Sequence, residues 1–155
     1  MIEAGAWKAI PFVAASLGVY YLFVKRNKNK VSQMLTSRPQ LTHREFGAIY
    51  FGESKLREAL AVEVRNILSH HLPVSVEGLS PQDKFQEHLM MDTFDSLSSA
   101  EFIIKVEEKY GISIRDDVAL KSDITFGQLI DHIEQRVVET NMAIPGAGAP
   151  HEGGR

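Results

Sequence analysis

Ser96 lies between Asp95 and Leu97, where an irregular polar stretch gives way to Ser99, Phe102, Ile103, Val106 and Tyr110 at helical spacing. That pattern makes Asp95 the expected N-cap of an amphipathic helix and Ser96 its first residue, so the Ser96 hydroxyl is expected to be exposed at a loop–helix junction. An exposed hydroxyl can attack a substrate or serve as a point of attachment. Attack lacks support. No Gly-x-Ser-x-Gly elbow surrounds Ser96 and no histidine stands in a triad context, His88 reading as a loop surface residue. The chain has no cysteine, so there is no disulfide framework or Cys-based metal site, and thiol chemistry must come from a bound group. His70 and His71 are neighbours in the last turn of a predicted helix and point in different directions, which argues against a metal site. No catalytic set and no metal set emerge.

The Ser96 helix carries a second, shorter apolar stripe, Leu97, Ala100 and Ile104, bordered by Glu101 and Glu108. Two stripes call for two partners. The first can face a core. The second is either a docking face for another protein or the margin of one broad core-facing stripe, and periodicity leaves both open.

Asp95-Ser96-Leu97 opening an acidic amphipathic helix that closes on Glu107-Glu108-Lys109-Tyr110-Gly111-Ile112-Ser113-Ile114 resembles the acyl carrier protein family. The order of elements agrees: a leading helix, a long loop, the serine helix, a short helix and a final amphipathic one. The resemblance covers roughly Lys55 to Val138. It implies an all-α four-helix carrier bundle, three main helices plus one short. It also implies that Ser96, with Asp95 and Leu97 beside it, bears 4′-phosphopantetheine delivered from coenzyme A by a phosphopantetheinyl transferase. Acyl-processing and acyl-transfer enzymes would then load and unload a thioester, with catalysis residing in those partners. A helix N-terminus suits the phosphodiester anion, because its N–H groups and dipole point outward. Phe94, Ser98 and Arg115 depart from the family's usual residues, and the approach from Leu89 to Ser96 is longer than usual.

The net charge of −3 conceals an asymmetry: residues 1–40 hold six Lys/Arg against one acid, residues 41–140 ten against eighteen. The globular part is acidic, which disfavours nucleic acid and favours basic protein patches. Ala4 to Val24 is apolar except for Lys8 and is long enough, at about 30 Å as a helix, to cross a bilayer. Lys25, Arg26, Lys28 and Lys30 follow, so the positive-inside rule places the later residues in the cytoplasm. A cleaved signal peptide fits less well, because the positive charges follow the apolar run. A buried helix of a soluble protein is the remaining alternative.

The expected organisation is an anchor at 1–24, a basic linker with a short amphipathic helix at 25–53, a carrier domain at 54–140 and a disordered tail at 141–155. Lys25 to Gln40 reads as a flexible coil spanning roughly 20–25 Å, which would make the chain from about Gln40 a separable soluble unit. Thr42 and Glu45 form a capping-box pattern opening a short helix with Phe46, Ile49 and Tyr50 on one face. Ser54 is the expected cap of a helix from Lys55 to about His71, with Leu56, Leu60, Val64, Ile67 and Leu68 inward and Pro73 beyond its end. Val74, Val76, Leu79, Phe85 and Leu89 are expected to cover the open side of the bundle from a long loop; Met90-Met91 could line an acyl chain's entry or fill a gap in the core, the second being favoured. Asp116 to Lys121 can form one or two turns. Thr125 and Gln128 open a last helix to about Glu139, with Phe126, Leu129, Ile130, Ile133 and Val137 on one face.

Two functions remain. One is a membrane-anchored acyl carrier serving lipid or related metabolite assembly. The other is an unmodified, carrier-like structural subunit of a membrane complex. The acyl cargo is not legible in the residues.

Overall fold

The computed structural model describes residues 10–91, 96–114 and 123–142. Among them are five helices and no strand: α1 (Ile10–Thr36), α2 (His43–Phe51), α3 (Lys55–His71), α4 (Ser96–Tyr110) and α5 (Phe126–Met142). α3 packs against α2, α4 and α5 and is the central element of the bundle.

Local chemistry sets the starts of three helices. The Thr42 hydroxyl accepts from the Glu45 N–H at 3.3 Å while the Glu45 carboxylate accepts from the Thr42 N–H at 2.9 Å, a complete capping box. Those same bonds hold the Glu45 carboxyl below its ordinary range. Ser54 accepts from the Arg57 N–H. Thr125 and Gln128 exchange a second reciprocal pair, at 2.9 and 3.2 Å. α5 then runs past Glu139, the expected end, to Met142.

The core draws on all five helices and the long loop. From α5 it takes Phe126, Leu129, Ile130 and Ile133, from α4 Phe102, Ile103 and Val106, and from the loop Val76, Leu79, Phe85, Leu89 and Met91. Val74 and Val137 are partly buried against it. The loop is pinned to the start of α5. Phe126 N–H donates to the Asp83 carbonyl at 2.9 Å, and the Asp123 carboxylate accepts from the Gln86 and Glu87 N–H groups at 2.8 and 3.0 Å.

Three expectations are corrected. Lys25–Thr36, expected as slack tether, is the second half of α1, and its Asn27, Val31 and Leu35 are buried. These residues recur every four positions, which places them on one helical face, a pattern that the basic composition masks. A chain cut near Gln40 would therefore lose part of the core. On α2 the buried side chains are Phe46 and Phe51, whereas Ile49 and Tyr50 are exposed. On α3, Leu56 is exposed and Ile67 only partly buried, while Ala61 and Arg65 are buried beside Leu60, Val64 and Leu68.

Arg65 is the largest fully buried side chain. Its Nη2 donates to the carbonyls of Leu41 and Val76 at 2.8 and 2.7 Å, and its guanidinium lies over the Phe46 ring at 4.5 Å. Burial lowers its pKa to about 10, with Glu77 acting in the opposite sense, so it is charged at neutral pH. One cation thus ties α3, α2 and the loop together. The carbonyls of Leu41 and Val76 and the Phe46 ring face offset the cost of burying this charge, although Nη1 has no hydrogen-bond partner among the described residues.

No described helix is long and apolar enough to cross a membrane. The Ala4–Ala9 part of the expected span lies outside the described residues, as do the Asp116–Lys121 turn and the tail beyond Met142.

Candidate functional site

α4 begins at Ser96. Asp95 and the Ser96 side chain lie outside the described residues, so the expected N-cap does too. One position on, Leu97 is 62% exposed. Along the same side, Ala100, Glu101 and Glu108 are exposed and Ile104 is half-buried. The first stripe turns inward, with Phe102, Ile103 and Val106 buried and Ser99 and Tyr110 at its partly buried margin. The helix therefore separates its two stripes as two faces.

The carboxylates of the outer face have partners. Glu108 accepts from Lys105 Nζ at 2.8 Å, which raises the Lys105 pKa, and Glu101 Oε2 lies 4.0 Å from His71 Nδ1. Surface pairs of this kind contribute little to stability and leave the face acidic in sum. His70 Nδ1 lies 2.8 Å from the Asn66 carbonyl. His88, on the loop, accepts the Lys84 N–H on Nδ1 at 3.0 Å.

The far end of α4 is closed with equal care. Gly111, at φ +64°, donates its N–H to the Glu107 carbonyl at 2.8 Å. The buried Glu107 carboxylate accepts the Ile114 N–H at 2.7 Å, which directs the buried Ile112 and Ile114 back onto the core. Gly supplies the left-handed turn without strain. The Tyr110 ring follows, and burial together with the nearby Glu63 pushes its hydroxyl up to about 12.

On the inner side of α4 is a cavity of about 20 Å³, lined by Phe85, Met91, Ser99, Phe102, Ile103 and Leu129 among others. Ser99 is one turn beyond Ser96, so the cavity adjoins the start of the helix. Met90, just before Met91, adopts φ +51°, a left-handed conformation unusual for a side chain of this type. The sequence reading missed three contributors here: Phe85 and Gln86 as cavity walls, and Asp123 as the anchor of that wall. Phe85 and Asp123 belong to segments without periodicity, so no sequence pattern places them together.

A phosphopantetheine attachment site domain matches residues 62–133. An acyl carrier protein of Picosynechococcus sp. is 32% identical over 74 residues, spanning 48% of this chain and 86% of that protein. The chain belongs to the acyl carrier protein family. No solved structure matches. Acyl carrier proteins carry covalently attached 4′-phosphopantetheine and act as carriers, not enzymes, interacting with a phosphopantetheinyl transferase and with acyl-processing enzymes. The matched residues run from within α3 into α5 and include the whole of α4. α1 and α2 stand outside them, although this acyl carrier protein builds both into its core.

Proposed function

We propose that this chain is a membrane-anchored acyl carrier protein that holds acyl intermediates as thioesters on 4′-phosphopantetheine attached to Ser96, for lipid or related metabolite biosynthesis. The observation that carries the reading is the start of α4 at Ser96, within the matched domain, beside an exposed Leu97 and one turn from an apolar cavity. The residues fit the group: the positive end of the α4 dipole favours a phosphodiester anion, and the apolar walls suit a hydrocarbon. When bound, the arm supplies the thiol that forms the thioester. Asp95 and Leu97 flank the attachment point. Leu97, Ala100 and Ile104 offer apolar contact between Glu101 and Glu108, a face suited to a partner pocket rimmed by Lys or Arg. Ile103, Val106, Leu129 and Ile133 line the interior into which an acyl chain would part the bundle.

The membrane assignment is supported by α1. Leu17, Val19, Tyr20, Tyr21, Leu22 and Phe23 are each at least 54% exposed, and Lys25, Arg26, Lys28 and Lys30 follow them. Consecutive apolar residues occupy every side of a helix, which leaves no face for water. The described apolar part, Ile10–Val24, reaches about 22 Å, and the full span requires the residues before it. The charge order puts the carrier domain on the cytoplasmic side, in reach of coenzyme A.

Intact-mass measurement of the protein with a transferase and coenzyme A tests the attachment. Wild type should gain one phosphopantetheine and Ser96→Ala none, with equal melting temperatures. Equal gain by both refutes Ser96. No gain by either favours the structural-subunit function. Alkaline washing of membranes tests the anchor: full-length protein should remain, and release by salt alone would limit the contact to the basic cluster.

A further inference from the structure

α1 has no break between its exposed apolar half and its packed half. From Val24 to Leu35 the helix advances about 16 Å, and within that distance Asn27, Val31 and Leu35 enter the core. Its last turn is locked onto the loop that leads to Ser96. A Cβ on Gly78 would lie 1.8 Å from the Leu35 carbonyl oxygen, so the two backbones touch. Arg38 Nη1 donates to the Asp83 carboxylate at 2.6 Å, and Asp83 is 2% exposed. Gln40 Nε2 donates to the Leu35 carbonyl at 2.9 Å, and Leu41 N–H to the Glu77 carbonyl at 2.9 Å. Asp83 in turn passes its carbonyl to Phe126 at the start of α5. The path from the apolar helix to the loop before the attachment site is thus packed or hydrogen-bonded along its length.

We propose that α1 is a rigid strut. Its apolar half sits in a bilayer bearing anionic headgroups, and its packed half holds the carrier bundle at one distance and one orientation to that surface. The inference rests on the membrane reading above and goes further, because membrane attachment by itself fixes neither the distance nor the orientation of the bundle. The occupant is a bilayer because the exposed half is apolar on all sides and because Lys25, Arg26, Lys28 and Lys30, all exposed, ring the helix where it would leave the hydrocarbon. The consequence is functional. Reach toward partner enzymes comes from the arm on Ser96 alone, so enzymes in the same bilayer meet the outer face of α4 in a single pose.

The absence of native cysteine allows one label on full-length, unmodified Gln135→Cys protein, since Gln135 is exposed on α5. Time-resolved energy transfer to headgroup-labelled phosphatidylglycerol vesicles should give one narrow distance distribution. A Gly-Ser segment inserted between Val24 and Lys25 should broaden it at least about twofold without changing vesicle binding or melting. Four inserted alanines should keep it narrow and displace it by about 6 Å. A native distribution as broad as that of the Gly-Ser variant overturns the strut and leaves the anchor standing. Failure to bind vesicles, with self-association instead, overturns both and assigns the apolar half to a second copy.

Discussion

The two halves of α1 reverse the usual relation between hydropathy and burial. Leu17–Phe23, apolar at almost every position, is exposed, whereas Lys25–Thr36, which holds four cations, contributes Val31 and Leu35 to the core. Hydropathy reports what a segment would dissolve in; periodicity reports which of its faces has a protein partner. The first half has no polar side and so cannot pack on a protein core without leaving apolar surface facing water. The second has a single apolar ridge, which a protein interior can cover completely.

The sharpest way to break this comparison is one truncation in each half. Leu35→Ala should cost about 3 kcal/mol in denaturant unfolding, since a fully buried leucine leaves a cavity, whereas Leu22→Ala should leave unfolding unchanged. Equal effects would mean that both halves pack, and the contrast would be lost. A smaller effect is expected where α1 meets the loop. Gly78→Ala forces a methyl against the Leu35 carbonyl and should cost about 2 kcal/mol, read as a lower melting temperature with the unfolding m-value retained.

The packed region also depends on α2 being correctly started. Thr42→Ala removes one half of the capping box and should cost about 1 kcal/mol, and Thr42→Ser should restore most of it. The smallest effect concerns pH. Burial and the neighbouring Arg65 lower the His43 pKa below its ordinary 6.5, so the unfolded chain binds the proton more readily. Stability is therefore greater above that value and declines as pH falls through it. His43→Gln should flatten that slope between about pH 7 and 5, and an unaltered slope would assign the acid sensitivity to other groups.

Much of the carrier core was legible from local pattern. Thr42 with Glu45, Ser54, and Thr125 with Gln128 all cap helices as their spacing implies, because a cap involves atoms three residues apart. The inward stripe of α4 and the apolar face of α5 follow from a 3.6-residue period for the same reason. The outer stripe at Leu97, Ala100 and Ile104 was ambiguous in sequence, and only the position of the neighbouring helices left Leu97 and Ala100 exposed. Arg65 was hidden among apolar neighbours. A cation on an inward face gives no signal until the carbonyls of Leu41 and Val76 and the Phe46 ring converge on it from 24, 11 and 19 positions away.

Residues within a few turns of one another were enough to set the starts of α2, α3 and α5, the inward stripe of α4 and the family resemblance. Packing between distant segments was needed to show that the basic half of α1 belongs to the core, that α2 turns Phe51 inward in place of Ile49 and Tyr50, and that Phe85 and Met91 wall a cavity beside the start of α4. Those outcomes depend on which surface lies opposite each side chain. Burial is a property of two elements at once, and the free energy of covering an apolar face is set by the partner as much as by the face.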